Sequence, residues 1–322
     1  MARLPDFPAY GVAELYQATG GFNKLCLIGE GGFGKVYRAM INYTPVAIKV
    51  LDPEGLQGMA EFLNEVRLAR SIQHPYVVRL LGFTGDAGPG ASSGGAGGGA
   101  GGGAGGTQCL VYELLTNGNL EDRLLRRGPS TPALTWPVRV KVGCQIADAL
   151  SYLHSLGIIH RDIKPANMFL DCNMDAKLGD IGLASLDGWR AGKSVGGASR
   201  ASDANAVGTW AYLAPEYKTE GRSSPATDAW ALGLCLLQLV LGRDPKDIIR
   251  TVQQALEECR LPQVVDSSAG TWDMKVAERV LKLGLWCCMH DARQRPPVSA
   301  VHQELARLVS LLQAQGLLEP GA

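Results

Sequence analysis

The sequence predicts an α+β chain of two lobes, a small antiparallel β-sheet with one main helix followed by a larger helical part. Three observations carry that prediction. Residues 26–50 alternate apolar and polar side chains between glycines and Pro45, the period of short strands. After Asn119 the apolar residues recur at helical spacing instead. Between these textures lies a tract, 85–106, that is nearly all Gly, Ala and Ser. Such a tract buries too little apolar surface to offset its ordering entropy, so it reads as a flexible loop inserted between strands.

The elements follow in order. Residues 60–71 carry Phe62, Leu63, Val66 and Ala69 at the period of a helix. Residues 77–81 and 109–114 read as two further strands flanking the Gly/Ala tract. Residues 138–156 place Val142, Ile146, Ala149, Leu150 and Leu153 on one helical face. Residues 228–241 are almost wholly apolar, which predicts a helix buried on all sides. The apolar run 229–240 is shorter than the roughly 20 residues of a membrane span. Residues 275–289 and 298–312 complete the helices.

Composition narrows the function classes. The 322 residues suffice for two ordinary domains or one large one. Hydrophobic residues at 46% and charged residues at 19% set the chain apart from disordered sequences. Lys+Arg and Asp+Glu both total 31, so bulk nucleic-acid or polybasic membrane binding is not expected. Residues 1–10 lack the apolar core of a secretory signal, and Ala2 stands where myristoylation requires Gly. A soluble chain without a membrane span is expected, although a piece of a longer receptor would read the same way. The cysteines at 26, 109, 144, 172, 235, 259, 287 and 288 form no C-x-x-C pair and no group with histidine. They are expected to be reduced core thiols.

Four constellations carry chemistry. Gly29-Glu30-Gly31-Gly32-Phe33-Gly34 lets backbone amides approach a phosphate chain without side chains in the way. A Rossmann turn shares that spacing but must open a helix. Here the glycines lead into strand, so a hairpin over phosphates is the expectation. Lys49, on the apolar strand Val46-Ala47-Ile48-Lys49, needs partners for its charge: phosphate oxygens and a carboxylate, with Glu65 preferred and Glu61 second. In His160-Arg161-Asp162-Ile163-Lys164-Pro165-Ala166-Asn167, Asp162 suits orienting a hydroxyl and accepting its proton. Lys164 suits neutralising a moving phosphoryl group, and Asn167 offers an amide oxygen to a metal. Asp180-Ile181-Gly182 supplies a second metal ligand in Asp180.

Each of these is weak alone, but together, in this order and closed by Ala214-Pro215-Glu216, they resemble the eukaryotic protein kinases over residues 22–312. The resemblance implies the bilobal protein-kinase fold: a lead-in 1–21, a kinase domain 22–316 with an N-lobe 22–115 and a C-lobe 116–316, and a tail 317–322. It implies ATP with Mg2+, or Mn2+ as the alternate ion, and protein substrates bearing Ser/Thr. Lys49 would bind the α- and β-phosphates and pair with Glu65. Asp162 would be the catalytic base, assisted by Lys164, with Asn167 and Asp180 as metal ligands. The nucleotide would touch Ile28, residues 29–34, Val36, Ala47, Tyr112, Glu113, Leu115, Asp122 and Phe169. Tyr112 would guard the space behind the adenine, Glu113 and Leu115 would offer hinge backbone, and Asp122 would meet the ribose. Glu216 and Arg295 match a structural ion pair, and Asp228 matches the carboxylate that braces the catalytic loop. Lys164 and Gly208-Thr209-x-x-Tyr212 point to serine/threonine specificity, with Thr209 placed to bond Asp162 and Lys164.

The motifs Phe7-Pro8-Ala9-Tyr10, Ala18-Thr19-Gly20-Gly21-Phe22, Leu110-Val111-Tyr112-Glu113 and Asn117-Gly118-Asn119-Leu120 are similar to the receptor-like/Pelle group, which includes the interleukin-receptor-associated kinases. Without a span, the chain resembles a plant or algal receptor-like cytoplasmic kinase. That implies receptor-linked signalling from the cytoplasm, with a membrane receptor or adaptor as partner and plasma-membrane attachment only through it. Two departures stand out. Ile181 and Ala69 are smaller than is common in the column they would share with Leu80 and His160, and Phe169 stands where Leu is common. The activation segment, 180–216, offers Ser194, Ser199 and Ser202 to phosphorylation, Ser202 first, through a charge-assisted contact to Arg161. Asp203 is a built-in negative charge beside it. The alternatives are a nucleotide-binding pseudokinase or scaffold, and a small-molecule kinase of similar fold. Intact Lys49, Asp162, Asn167 and Asp180 weigh against the first, and the Ala214-Pro215-Glu216 segment against the second.

Overall fold

A computed structural model describes residues 7–31, 34–51, 56–84, 107–125, 132–186 and 209–319, with side chains of its second helix described from Glu61 onward. The Gly/Ala-rich tract therefore lies outside the described residues, as do Gly32, Phe33, Ser194, Ser199, Ser202 and Asp203. The chain divides into two compact units, Met1–Gln73 with Val78–Leu115, and His74–Val77 with Thr116–Ala322.

The first unit contains β1 (Ala9–Tyr10), α1 (Val12–Ala18), β2 (Leu27–Gly31), β3 (Gly34–Ile41), β4 (Thr44–Val50), α2 (Leu56–Ala69), β5 (Leu80–Thr84) and β6 (Cys109–Glu113). They form one sheet in the order β1-β5-β6-β4-β3-β2, antiparallel except where β1 runs parallel to β5. β3 and β4 are joined through Asn42 and Tyr43, both at positive φ, the mirror-image turn that matches strand twist. Pro45 is tolerated in a central strand because β6 pairs with β4 only from Val46 onward.

Alternation along the strands gives the sheet two apolar faces. On one, Ile41, Val46, Ile48, Cys109 and Val111 pack with Leu15 of α1. On the other, Leu80 and Leu110 pack with Phe62 of α2. The segment before residue 22 is thus part of this core, since Leu15 is fully buried and Phe22 packs edge-on against Tyr16 and tilted against Tyr37. Periodicity misses it because β1 is two residues long and its register comes from β5. Gly82 makes room for it: a Cβ there would meet Pro8 O at 2.4 Å and the Tyr10 ring at 2.5 Å.

The second unit contains α3 (Leu120–Leu125), α4 (Trp136–Ser155), β7 (Ile158–Ile159), β8 (Met168–Leu170), β9 (Ala176–Leu178), β10 (Ser185–Leu186), α5 (Pro215–Glu220), α6 (Pro225–Leu241), α7 (Ile248–Glu257), α8 (Leu261–Val264), α9 (Met274–Cys287) and α10 (Val298–Ala314). The apolar α6 is its axis, buried against α4 and α9, with α10 on α4. It begins at a Ser224/Thr227 capping box and ends at Gly242, whose left-handed conformation suits the C-terminal cap. α6 and α9 approach closely because Gly233 and Gly284 face each other: a Cβ on Gly233 would lie 2.7 Å from Gly284 O. Among the described residues, no helix is long and apolar enough to cross a membrane.

The expected strand 77–81 is displaced. Val77 belongs to the second unit, where it bridges Leu178 while Tyr76 O accepts from Leu178 N at 2.8 Å. The strand of the first unit starts only at Leu80. One apolar run thus serves two units, which periodicity alone does not separate. The cysteines divide too: none forms a disulfide, and Cys172 and Cys259 are exposed rather than core residues. Burial pushes Cys109, Cys144 and Cys287 up to about 12, so these thiols stay protonated at neutral pH.

One buried ion pair of this unit escapes sequence reading. Arg139 of α4 donates to Leu134 O, to Leu239 O at the end of α6, and to Asp266 Oδ2 at 2.6 Å. Burial disfavours both charges and lowers Arg139. It also pushes the Asp266 carboxyl up, but hydrogen bonds from Ser268 and Arg139 and the guanidinium charge outweigh that, leaving Asp266 below the usual carboxylate range. A carboxylate lowered on folding stabilises the fold above its unfolded value, and that contribution disappears as pH falls through the folded one. Asp266→Asn is therefore expected to destabilise the protein at neutral pH and to flatten the loss of stability below about pH 4. Thermal melts of both proteins from about pH 7 to pH 2.5 check this; parallel curves would refute it.

Candidate active site

In the first unit the glycine-rich segment is the β2–β3 hairpin, with Gly31 opposite Gly34. Strand follows it, so the hairpin reading holds over the Rossmann one. The glycines differ in what requires them. Gly34 has φ +131, and a Cβ there would sit 2.1 Å from Val50 O, so the fold itself demands glycine. At Gly29 a Cβ would lie 3.7 Å from Val36 Cβ, an ordinary contact. Gly29→Ala is therefore expected to fold normally and weaken nucleotide binding, whereas Gly34→Ala disrupts the hairpin and lowers the melting temperature. Melting curves with a fluorescent-nucleotide titration separate the two; equal melting temperatures would show the hairpin reading to be wrong.

Strand register sets Val36 opposite Lys49, and Ala47 opposite Tyr112, on the sheet face that α2 covers. Lys49 Nζ lies 3.5 Å from Glu65 Oε2 on α2, with both side chains largely buried. Glu61, one turn earlier, is buried as well. Ile28 is half-exposed on β2, and Glu30 pairs with Lys35 at 3.5 Å near the hairpin tip. Glu113 N donates to Arg79 O at 3.1 Å, and its Oε1 accepts from Arg79 N at 2.9 Å. Leu115 is the last residue of this unit.

In the second unit Asp162 is buried at the centre of a hydrogen-bonded set. Its Oδ2 accepts from Lys164 Nζ at 2.7 Å and Asn167 Nδ2 at 2.9 Å. Its Oδ1 accepts from Thr209 N at 3.1 Å and Thr209 Oγ1 at 3.2 Å. Lys164 also donates to Thr209 Oγ1 at 2.7 Å. Thr209 is 47 residues away in sequence, so the fold alone closes this set. Because the Asn167 amide nitrogen is engaged by Asp162, its Oδ1 is the atom left to face a cation. Gly179 N donates to Asn167 O at 2.9 Å, which holds the neighbouring Asp180 beside the Asn167 turn. Arg161 and Asp180 both adopt positive φ, at 73° and 60°. Such strain in non-glycine residues clusters at functional sites.

The supports are hydrogen-bonded in turn. Asp228, in the first turn of α6, accepts from His160 N at 2.8 Å and Arg161 N at 2.9 Å, and bonds His154 Nε2 at 2.9 Å. Sequence reading placed Asp228 but missed His154, whose only signal is its position near the end of α4. His160 is fully buried and its Nε2 bonds Gly179 O at 3.0 Å; Ile181 is buried too. Arg161 donates to Tyr217 Oη at 2.8 Å, a partner that the sequence reading also missed. Asn119 links two expected nucleotide contacts: its side chain exchanges bonds with Asp122, and its backbone bridges Phe169. Gly182 follows Ile181 in the same turn. Further along the segment, Glu216 receives Arg295 at 2.6 and 2.8 Å.

Comparison with known proteins agrees with this geometry. A family described as "Protein kinase domain" matches residues 22–305. Over 93% of its length the chain is 35% identical to "U-box domain-containing protein 34" of Arabidopsis thaliana, covering 35% of that protein. It is 34% identical to "Probable serine/threonine-protein kinase PBL26" of the same plant, over 91% of the chain and 68% of PBL26. It is 33% identical to the Arabidopsis "L-type lectin-domain containing receptor kinase IX.2", over 90% of the chain and 42% of that protein. The chain thus spans about a third of the length of the U-box relative it matches. The family match covers most of the chain, both half-sites fall inside it, and the relatives are plant proteins, so the chain belongs to the protein kinase family, in its plant-type group.

Proposed function

We propose that the protein is a serine/threonine kinase that transfers the γ-phosphate of ATP to Ser/Thr hydroxyls of protein substrates in receptor-linked signalling. The observation that carries the reading is the Asp162 carboxylate held at once by Lys164, Asn167 and Thr209. Phosphoryl transfer leaves the protein little covalent work beyond positioning and charge stabilisation, and this set supplies both. Asp162 orients the substrate hydroxyl and accepts its proton as the O–P bond forms and the bond from γ-phosphorus to the β-phosphate oxygen breaks. Lys164 stabilises charge on the moving phosphoryl group. Lys49, fixed by Glu65, binds the α- and β-phosphates, and the glycine-rich hairpin covers them.

Ile28, Val36, Ala47, Tyr112 and Phe169 contact the adenine, backbone of Glu113 and Leu115 reads its edge, and Asp122 meets the ribose. Asn167 Oδ1 and the Asp180 carboxylate are hard oxygen donors, which fit Mg2+, or Mn2+ in its place. Such an ion, when bound, neutralises phosphate charge. Serine/threonine specificity rests on Lys164 and its bond to Thr209. The kinase domain is proposed to span 22–316, with the lead-in before it adding β1 and α1 to its sheet and core and 317–322 as a tail, and Ser202 is proposed as the first phosphorylation site of the activation segment, read by Arg161. The name of PBL26 supports serine/threonine transfer and that of the lectin-domain receptor kinase supports a receptor-linked role; the chain is proposed to act in the cytoplasm, at the plasma membrane only through a partner.

The test is incubation with labelled ATP, Mg2+ and a generic basic protein, followed by phosphoamino-acid analysis. Label on serine and threonine is the expected result. Label on tyrosine refutes the specificity, and nucleotide binding without transfer assigns the chain to the pseudokinases.

A further inference from the structure

The second unit carries an open feature that phosphoryl transfer does not use. Along α9, Lys275, Arg279, Lys282 and Trp286 recur at helical spacing and are all exposed. α9 and α10 leave a groove of about 250 Å3 lined by Arg279, Lys282, Leu283, Trp286, Glu304 and Leu308. Leu308 is buried at its floor, while Trp286 stands 45% exposed. The Trp286 indole N–H is already satisfied by Gln294 O at 3.1 Å, so what the ring offers is its apolar face. Met289 and Leu311, one turn beyond Trp286 and Leu308, are exposed large apolar side chains as well. A partly exposed aromatic beside other apolar side chains and a charged rim is the composition of a docking site.

We propose that this α9/α10 groove binds a short peptide segment of a protein partner, an apolar side chain flanked by Asp or Glu. The apolar side chain would lie against Trp286 and Leu308, and the acidic residues against Lys275, Arg279 and Lys282. Charge decides the sign. Among the charged side chains that line the groove, Arg279 and Lys282 outnumber Glu304, in a chain of zero net charge. The cations are retained at the rim by neighbours rather than buried: Lys282 pairs with Glu278 at 2.6 Å and Arg279 with Glu304 at 3.6 Å. An incoming carboxylate can therefore compete for them without desolvating a buried charge. Shape favours a peptide over a membrane. A concavity of this volume takes one or two side chains, and a flat lipid surface does not match it.

The experiment is selection of a random 16-residue phage-displayed library on the full-length protein, with the enriched peptides measured by fluorescence anisotropy. The expected result is a family with one aromatic or aliphatic anchor next to Asp/Glu, weakened at least tenfold by Trp286→Ala and by the pair Arg279→Glu/Lys282→Glu, and weakened by added salt. The charge reversals sit at exposed positions and keep the fold even if Trp286→Ala does not. Transfer to the generic basic protein should be unchanged in both variants, so the result stands apart from the catalytic reading. Enrichment of basic peptides, or of peptides indifferent to these substitutions, overturns the proposal. Trp286-dependent binding to vesicles of phosphatidylcholine with phosphatidylserine overturns it in favour of a membrane. Self-association lost on Trp286→Ala overturns it in favour of a second copy.

Discussion

Asp162→Asn is expected to reduce phosphoryl transfer by about 10²–10⁴-fold, the usual contribution of a positioned general base. The substitution keeps the shape and removes the acceptor. All four groups around the carboxylate are donors: the Lys164 ammonium, the Asn167 amide, and the N–H and hydroxyl of Thr209. An amide NH2 placed on either side meets a donor head-on and breaks at least one bond. The loss should therefore appear in kcat, with ATP affinity retained because Lys49 and the glycine-rich hairpin are untouched. Single-turnover kinetics alongside nucleotide titration separate the two. A variant that keeps near-normal kcat would remove Asp162 from the chemistry and leave it as the keystone of a purely structural set.

Arg295→Ala is expected to be the largest stability loss, roughly 3–5 kcal/mol, the cost of breaking a buried ion pair by removing one partner. The value should lie toward the lower end, because the Glu216 side chain is 23% exposed and water can reach it. The guanidinium uses every donor it has. Nε bonds Met289 O, one terminal nitrogen bonds Glu216 Oε1 and Ala226 O, and the other bonds Glu216 Oε2 and His290 O. Its plane also lies over the Trp230 ring, 5.0 Å from the centroid. These contacts tie the start of α5, the start of α6 and the segment after α9 to one side chain. Arg295→Lys should recover only part of the loss, since an ammonium has three donors and no fork. Calorimetry would show a fall in melting temperature on the order of 10 °C for the alanine variant. A shift within about 1 °C would mean that water replaces these bonds at no cost.

Legibility in the sequence followed the range of the interactions. Phe62, Val66 and Ala69 announced α2 because helical burial repeats every three to four residues, whereas Leu63 of the same pattern is exposed. The run around Leu236 announced α6 because a helix buried on all sides has no polar face to interrupt it. β1 and α1 stayed hidden: a two-residue strand has no period, and Leu15 is buried only because β3, β4 and β6 present an apolar face to it. Val77 and Leu80 look like one strand in sequence and serve two units in the structure.

By itself the sequence determined the protein-kinase family and which residues are proposed to meet a phosphate and a metal, since G-x-G-x-x-G, Lys49, the Asp162 to Asn167 run and Asp180 are local motifs at fixed spacing. Tertiary structure alone decided how those atoms are held. Thr209 closing on Asp162, His154 joining Asp228, Tyr217 receiving Arg161 and Arg139 reaching Asp266 all link residues tens of positions apart. Such bonds depend on chain paths set by the packing of α4, α6 and α9, and no local period encodes them.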